Sequence, residues 1–146
     1  MAALTTKRMT RSDAFRTISL PLAAQAVFQG GIACYDTSAY GSVKKGASGS
    51  QTLVKIGEFA ENADNTAAGS PRVLVKLDKE LFGQWYDNAT GAAAVTAAAI
   101  FNLAYILDDH TVTITAGTNS CAGRIWDVDA IKGVLVEKAT PVATVP

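Results

Sequence analysis

Residues 105–129 read YILDDHTVTITAGTNSCAGRIWDVD and hold the chain's only histidine, one of its two cysteines and four of its thirteen acidic residues. Two readings compete for this stretch. Asp108, Asp109, His110, Cys121, Asp127 and Asp129 are residue types that move protons or bind metals, yet the same letters make turns and strand edges. Alternation decides between them: in TVTIT, residues 111–115, Val112 and Ile114 fall on one side of an extended segment and the threonines on the other. Asp108-Asp109 before it and residues 116–120 after it are turn compositions. The stretch therefore predicts a strand over residues 104–107, a turn, a strand over 111–115, a second turn and a closing hairpin. In that hairpin CAGRIWDVD and GVLVEK meet around residues 129–133, with Trp126 and Val128 pairing against Val134 and Val136 on one face.

Similar segments lie on the N-terminal side. AFRTISLPL alternates Phe15, Thr17 and Ser19 against Arg16, Ile18 and Leu20, and Pro21 marks an edge strand or a strand end. A strand over residues 32–35 turns at Asp36-Thr37-Ser38 and returns through Tyr40 and Val43. TLVKIGEFAE reads as a buried strand in which Gly57 marks a bulge or a close backbone approach. NADNTAAGSP, residues 62–71, is the densest turn cluster and is expected to project as a recognition loop, and the strand after it alternates Val73, Val75 and Leu77 against Arg72, Leu74 and Lys76. Residues 92–101 have high helix propensity but no polar face, so a short helix over residues 96–102 is expected. With no βαβ rhythm, the chain is expected to be all-β and mainly antiparallel: a single small β-barrel or a β-sandwich of jelly-roll type, with one short helix. The β-rich domain would span residues 14–138, between an extended basic arm (1–13) and an extended tail (139–146).

The 146 residues carry a formal net charge of zero, with 18% charged and 49% hydrophobic. A chain of this length buries about two-thirds of its unfolded surface and needs no disulfide or metal to hold a core. Low charge density leaves little repulsion between crowded copies, which suits a subunit better than a freely diffusing enzyme. Residues 1–16 hold Lys7, Arg8, Arg11 and Arg16 against Asp13, leaving nine basic and twelve acidic residues elsewhere. Without interleaved aromatics that arm is a thin case for nucleic acid. Lys7, Arg8 and Arg11 are expected to touch an acidic protein surface.

ISLPLAAQA ends in an A-x-A pattern, but polar residues and Pro21 interrupt its apolar run and Asp13 sits in the basic segment, so it reads as a strand rather than a signal peptide. No run approaches the roughly 20 apolar residues of a membrane span. An intracellular protein is expected, with Cys34 and Cys121 as reduced thiols and a disulfide as the alternative.

The chemical readings of the acidic stretch are weak. Successive side chains of Asp108-Asp109-His110 point to alternating faces unless a special turn gathers them, and no second histidine completes a zinc set. CxxC, HExxH and EF-hand patterns are absent, so no metal or cofactor is expected. Pairing His110 with Cys121 or with a serine needs a geometry that residue types alone do not supply. Asp127 and Asp129 flank Val128 and share an outward face, and Asn88-Ala89-Thr90 is a glycosylation sequon only on a secretory route. Trp85-Tyr86, following Phe82, is either core or an interface anchor.

The order of segments resembles the small cement, or decoration, proteins that stud the heads of tailed bacteriophages and Mu-like prophages. The resemblance covers residues 1–139 and is most specific in G-E-F-x-E-x-x-D-N-T (Gly57 to Thr66), Y-I-x-D-D-x-T-V (Tyr105 to Val112) and A-G-R-x-W-D-V-D with the following G-V-x-V-E. It implies a β-rich, non-enzymatic, homo-oligomeric virion protein, a dimer or trimer, assembled in the host cytoplasm. Such a protein binds the outside of the shell across seams between major capsid protein subunits, without direct contact to nucleic acid or membrane. The family has no catalytic residues, so no active site is carried over. Two alternatives stand beside it: a small hydrolase using His110 with Asp108 or Asp109, and a carbohydrate-binding or host-adhesion module built on exposed loops.

Overall fold

The structure, a computed structural model, describes residues 17–67, 71–77 and 83–137. Its strands in chain order are β1 (Thr17–Pro21), β2 (Ala26–Val27), β3 (Ile32–Asp36), β4 (Ala39–Lys45), β5 (Leu53–Phe59), β6 (Ala63–Asp64), β7 (Arg72–Leu77), β8 (Gly83–Asn88), β9 (Leu103–Ile106), β10 (Thr111–Thr113), β11 (Cys121–Asp129) and β12 (Gly133–Glu137). The fold is all-β and mainly antiparallel, as the alternation predicts. One antiparallel sheet has the order β1-β7-β5-β3-β4, and a parallel bridge from Leu22 to Val43 brings its two edges together. The second half is a closed five-stranded barrel, β10-β8-β12-β11-β9, in which only β8 and β10 run parallel. Pro21 ends the edge strand β1, where its missing N–H costs no ladder bond.

Each half has its own core. Val27, Val43, Phe59, Val73 and Val75 fill the first, while Ile106, Val112, Ile125, Val134 and Val136 fill the barrel. Burying each such side chain contributes about 1.5–3 kcal/mol. β3 is the wall between them: Ile32 and Cys34 face the barrel core and Ala33 faces the other. β5 serves both by a different device. Its register against β3 slips between Lys55 and Gly57, so Ile56 is an extra residue; Leu53 lies in the barrel core and, past the bulge, Phe59 in the other. Gly57 is also a close approach, because a Cβ there would collide with the carbonyl of Lys76 on β7. Both readings of that glycine hold at once.

The 105–129 stretch clasps the halves. The Asp109 carbonyl accepts from Ile32 N–H at the start of β3, and Asn119 Oδ1 accepts from Gly49 N–H at 2.8 Å. Ser120 Oγ donates to the Ser50 carbonyl and accepts from Leu53 N–H at 3.1 Å.

Three sequence expectations change. The expected short helix is present as a 3-10 turn, Ala97–Ala99, preceded by a second at Gly91–Ala93. Helix propensity loses there to tertiary hydrogen bonds: the Asn88 side chain accepts from Val95 N–H and donates to Val95 C=O, both at 2.8 Å. The first part of the 62–71 segment does not project. β6 pairs with β2, and Asn65, buried, donates through Nδ2 to the Leu22 carbonyl at 2.7 Å. Finally, β11 bulges at Trp126, so Ile125 rather than Trp126 pairs with Val136 inside, and the indole turns outward.

Candidate functional site

The turn between β9 and β10 does what an extended segment cannot. Asp108 Oδ1 accepts from the backbone N–H of both His110 and Thr111, at 2.9 and 2.8 Å, folding the chain back within three residues. That turn gathers Asp108, Asp109 and His110 so that one ligand-type atom from each lies within 4.8 Å of the others. The special turn that such a convergence requires is therefore present. His110 Nδ1 lies 2.7 Å from Asp109 Oδ1 and 3.2 Å from Asp108 Oδ1, and Nε2 lies 3.9 Å from the Asp87 carboxylate on β8. The hydrogen bond to Asp109 raises the His110 pKa, outweighing the opposing effect of desolvation, and the charges of Asp108, Asp109 and Asp87 add to the rise.

The chemistry this permits is limited. An Asp109–His110 pair at hydrogen-bond distance is the orienting half of a general base. Its outward nitrogen, however, faces the Asp87 carboxylate, and the side chain is 59% exposed to water. Cys121 is a separate, half-buried thiol whose pKa is pushed up by burial, which disfavours the nucleophilic thiolate. As metal ligands the three groups are pre-engaged: Asp108 Oδ1 serves two backbone donors, and Asp109 Oδ1 serves the imidazole. Cys34 is buried in the barrel core and forms no disulfide with Cys121. Asp129 belongs to the β11–β12 turn, where N–H donation from Lys132 and Ile131 lowers its pKa, and Asp127 lies exposed.

A second surface lies on the outside of the barrel. Trp85 and Tyr86 are adjacent on β8 and point to opposite sides. Tyr86 is buried in the barrel core, its hydroxyl 3.5 Å from Lys55 Nζ, so its part as an interface anchor is overturned. Trp85 faces out opposite Leu135, with Lys132 Nζ 5.3 Å from its ring centroid. The bulged Trp126 follows on the same face, 46% exposed, its Nε1 donating to Glu137 Oε2 at 2.8 Å. Phe101, 62% exposed, meets Trp126 edge to face at 5.6 Å between centroids. Phe101 has φ 79°, and among the described residues no other non-glycine has a positive φ.

Residue types alone missed this pair. Adjacent bulky apolar residues, Ile125-Trp126, inside an alternating strand were the available signal of the bulge, whereas nothing in the composition foretells a left-handed Phe101. Lys7, Arg8 and Arg11, together with Phe82, lie outside the described residues. Comparison with protein-family models, with curated proteins and with solved structures returned no match.

Proposed function

We propose that this chain is a structural virion protein, a cement or decoration protein that binds the outer surface of a tailed-phage head and stabilises contacts between major capsid protein subunits. The observation that carries the reading is where the blocks resembling that family fall. Gly57 to Thr66 spans the end of β5, its close approach to β7 and the β2–β6 ladder. Tyr105 to Val112 supplies the turn that clasps β3. The A-G-R-x-W-D-V-D block is the bulged β11. These blocks are spent on shaping a rigid body and its surface, which suits a protein whose activity is to dock. The basic arm, with Lys7, Arg8 and Arg11, supplies contacts to acidic capsid surface, and arms that order on binding cover wide areas.

Co-sedimentation with assembled heads of the phage or prophage that encodes the chain tests the proposal. The protein is expected to pellet with expanded heads and not with the unexpanded precursor, and deletion of residues 1–13 is expected to abolish pelleting. Failure of the intact chain to bind heads would sink the reading; full binding by the truncated chain would sink the arm's part in it. The hydrolase reading draws on the 2.7 Å approach of Asp109 to His110. His110→Gln separates the two: a hydrolase loses its activity, whereas a cement protein keeps its affinity for heads.

A further inference from the structure

We infer that the outer face of the barrel formed by Trp85, Leu135, Trp126, Phe101 and Leu103 is the docking site of the chain's own C-terminal segment, residues 138–146, KATPVATVP. Strand register makes the face continuous. Leu135 lies opposite Trp85, Trp126 bulges out beside them, and Leu103 on β9 pairs with Arg124 on β11. Among the described residues Trp126, Phe101 and Leu103 are exposed. Two backbone irregularities build the centre of the face: the bulge at Trp126 and the left-handed Phe101. Phe101 N–H donates to Ile125 C=O and Ile125 N–H to Asn102 C=O, both at 2.8 Å, and Arg124 Nη1 donates to Phe101 C=O at 2.7 Å. Glycine takes every other positive-φ position among the described residues. A strained phenylalanine whose ring packs into neither core serves the surface instead.

The place where β12 stops chooses the occupant. It ends at Glu137, whose Oε2 accepts the Trp126 indole N–H at 2.8 Å, so residue 138 starts at the rim of the face. The nine residues from Lys138 to Pro146, at the spacing of a polyproline II strand, reach about 28 Å. That is ample to turn back over Trp126 and Phe101, whose ring centroids lie 5.6 Å apart. The composition fits the same place. Pro141, Val142, Val145 and Pro146 are apolar, and Lys138 is the segment's one charged side chain. Prolines carry no N–H, so they lie against rings without stranding a donor, and Pro-rich segments dock where aromatic side chains line a groove. The rings of Phe101 and Trp126, at 86°, form such a notch, whereas a sugar finds no common stacking plane there. Glu137 already satisfies the indole N–H, so covering Trp126 costs no hydrogen bond. Tethering beside the face gives the segment an effective concentration on the order of millimolar, an advantage no free partner has.

Both tryptophans belong to this face, so acrylamide quenching of tryptophan fluorescence reads the contact. Measured on the purified full chain with no heads present, it is independent of the capsid reading. The double substitution Val142→Asp, Val145→Asp charges the segment at two positions outside both described cores. A tethered segment covers its site most of the time, so the doubly substituted chain is expected to quench about twofold more strongly than wild type. Far-UV circular dichroism is expected to stay unchanged. Trp85→Phe, which confines the signal to Trp126, is expected to preserve that ratio. Wild-type shielding is expected to be independent of protein concentration, as a contact within one chain must be. Equal quenching of the two chains overturns the inference. Shielding that falls away on dilution also overturns it, because a second copy would then be the occupant.

Discussion

At Phe101 and His110 single side chains carry measurable consequences. The left-handed backbone of Phe101 is held by hydrogen bonds to Arg124 and Ile125 of β11, so its strain persists whatever the side chain. Phe101→Ala loses the ring and keeps the strain, whereas Phe101→Gly loses the ring and relieves it. The glycine variant is therefore expected to be the more stable of the two by about 1 kcal/mol in urea unfolding, the reverse of the usual order for these residues. His110 gives a pH dependence with a definite sign. Its folded pKa is raised, chiefly by the hydrogen bond to Asp109, so protonation is tighter in the folded chain. The stabilisation is fully present below the unfolded value of about 6.5 and is lost as pH rises through the folded pKa. Wild type is expected to exceed His110→Gln in stability at about pH 5 and to lose that advantage in the alkaline range. Parallel stability–pH curves for the two proteins would falsify the assignment.

Among the strands, Gly57 shows how one residue serves two constraints. It follows the bulge that hands β5 from one core to the other, and its missing side chain admits the Lys76 carbonyl. The obstruction to a Cβ is backbone, which cannot rotate away, so Gly57→Ala is expected to cost about 2–3 kcal/mol in urea unfolding. A cost within about 0.5 kcal/mol would mean that β5 and β7 separate freely. Gly57 was legible because strand glycines have few other uses. Alternation likewise exposed β1, β7 and the β11–β12 hairpin, since each shows one face to a core and the other outward, whereas β3, packed between two cores, was legible from the Asp36-Thr37-Ser38 turn that ends it. β8 was hidden, because in GQWYDN the large residues are adjacent rather than alternate, one facing in and one out. The alanine run was misleading for another reason: propensity there is worth tenths of a kcal/mol per residue, less than the paired hydrogen bonds from Asn88. At the His110 cluster, residue types were visible, but their convergence depends on the Asx turn at Asp108, which spacing alone does not encode.

For the whole molecule the question is whether two cores make one cooperative unit. β3 and β5 contribute to both, and the 105–129 stretch bonds to residues 32, 49, 50 and 53 across the divide. Lys55, buried in the dividing wall, packs 5.5 Å from the centroid of the Tyr86 ring on the far side. Losing either core removes one side of β3, a strand with four of its five residues buried, and so exposes the other core. Both tryptophans lie in the barrel strands β8 and β11, whereas Phe59 is buried in the other core, which makes tryptophan fluorescence a report from one half on damage to the other. Phe59→Ala removes the largest fully buried side chain and is expected to cost about 3–5 kcal/mol. In a single cooperative unit the tryptophan transition shifts by that whole amount and coincides with the loss of far-UV circular dichroism. Two independent halves would leave the tryptophan transition where it is in wild type while the dichroism splits into two steps. The shared wall predicts the first outcome: the extra destabilisation at Phe59 is felt in full at Trp85 and Trp126.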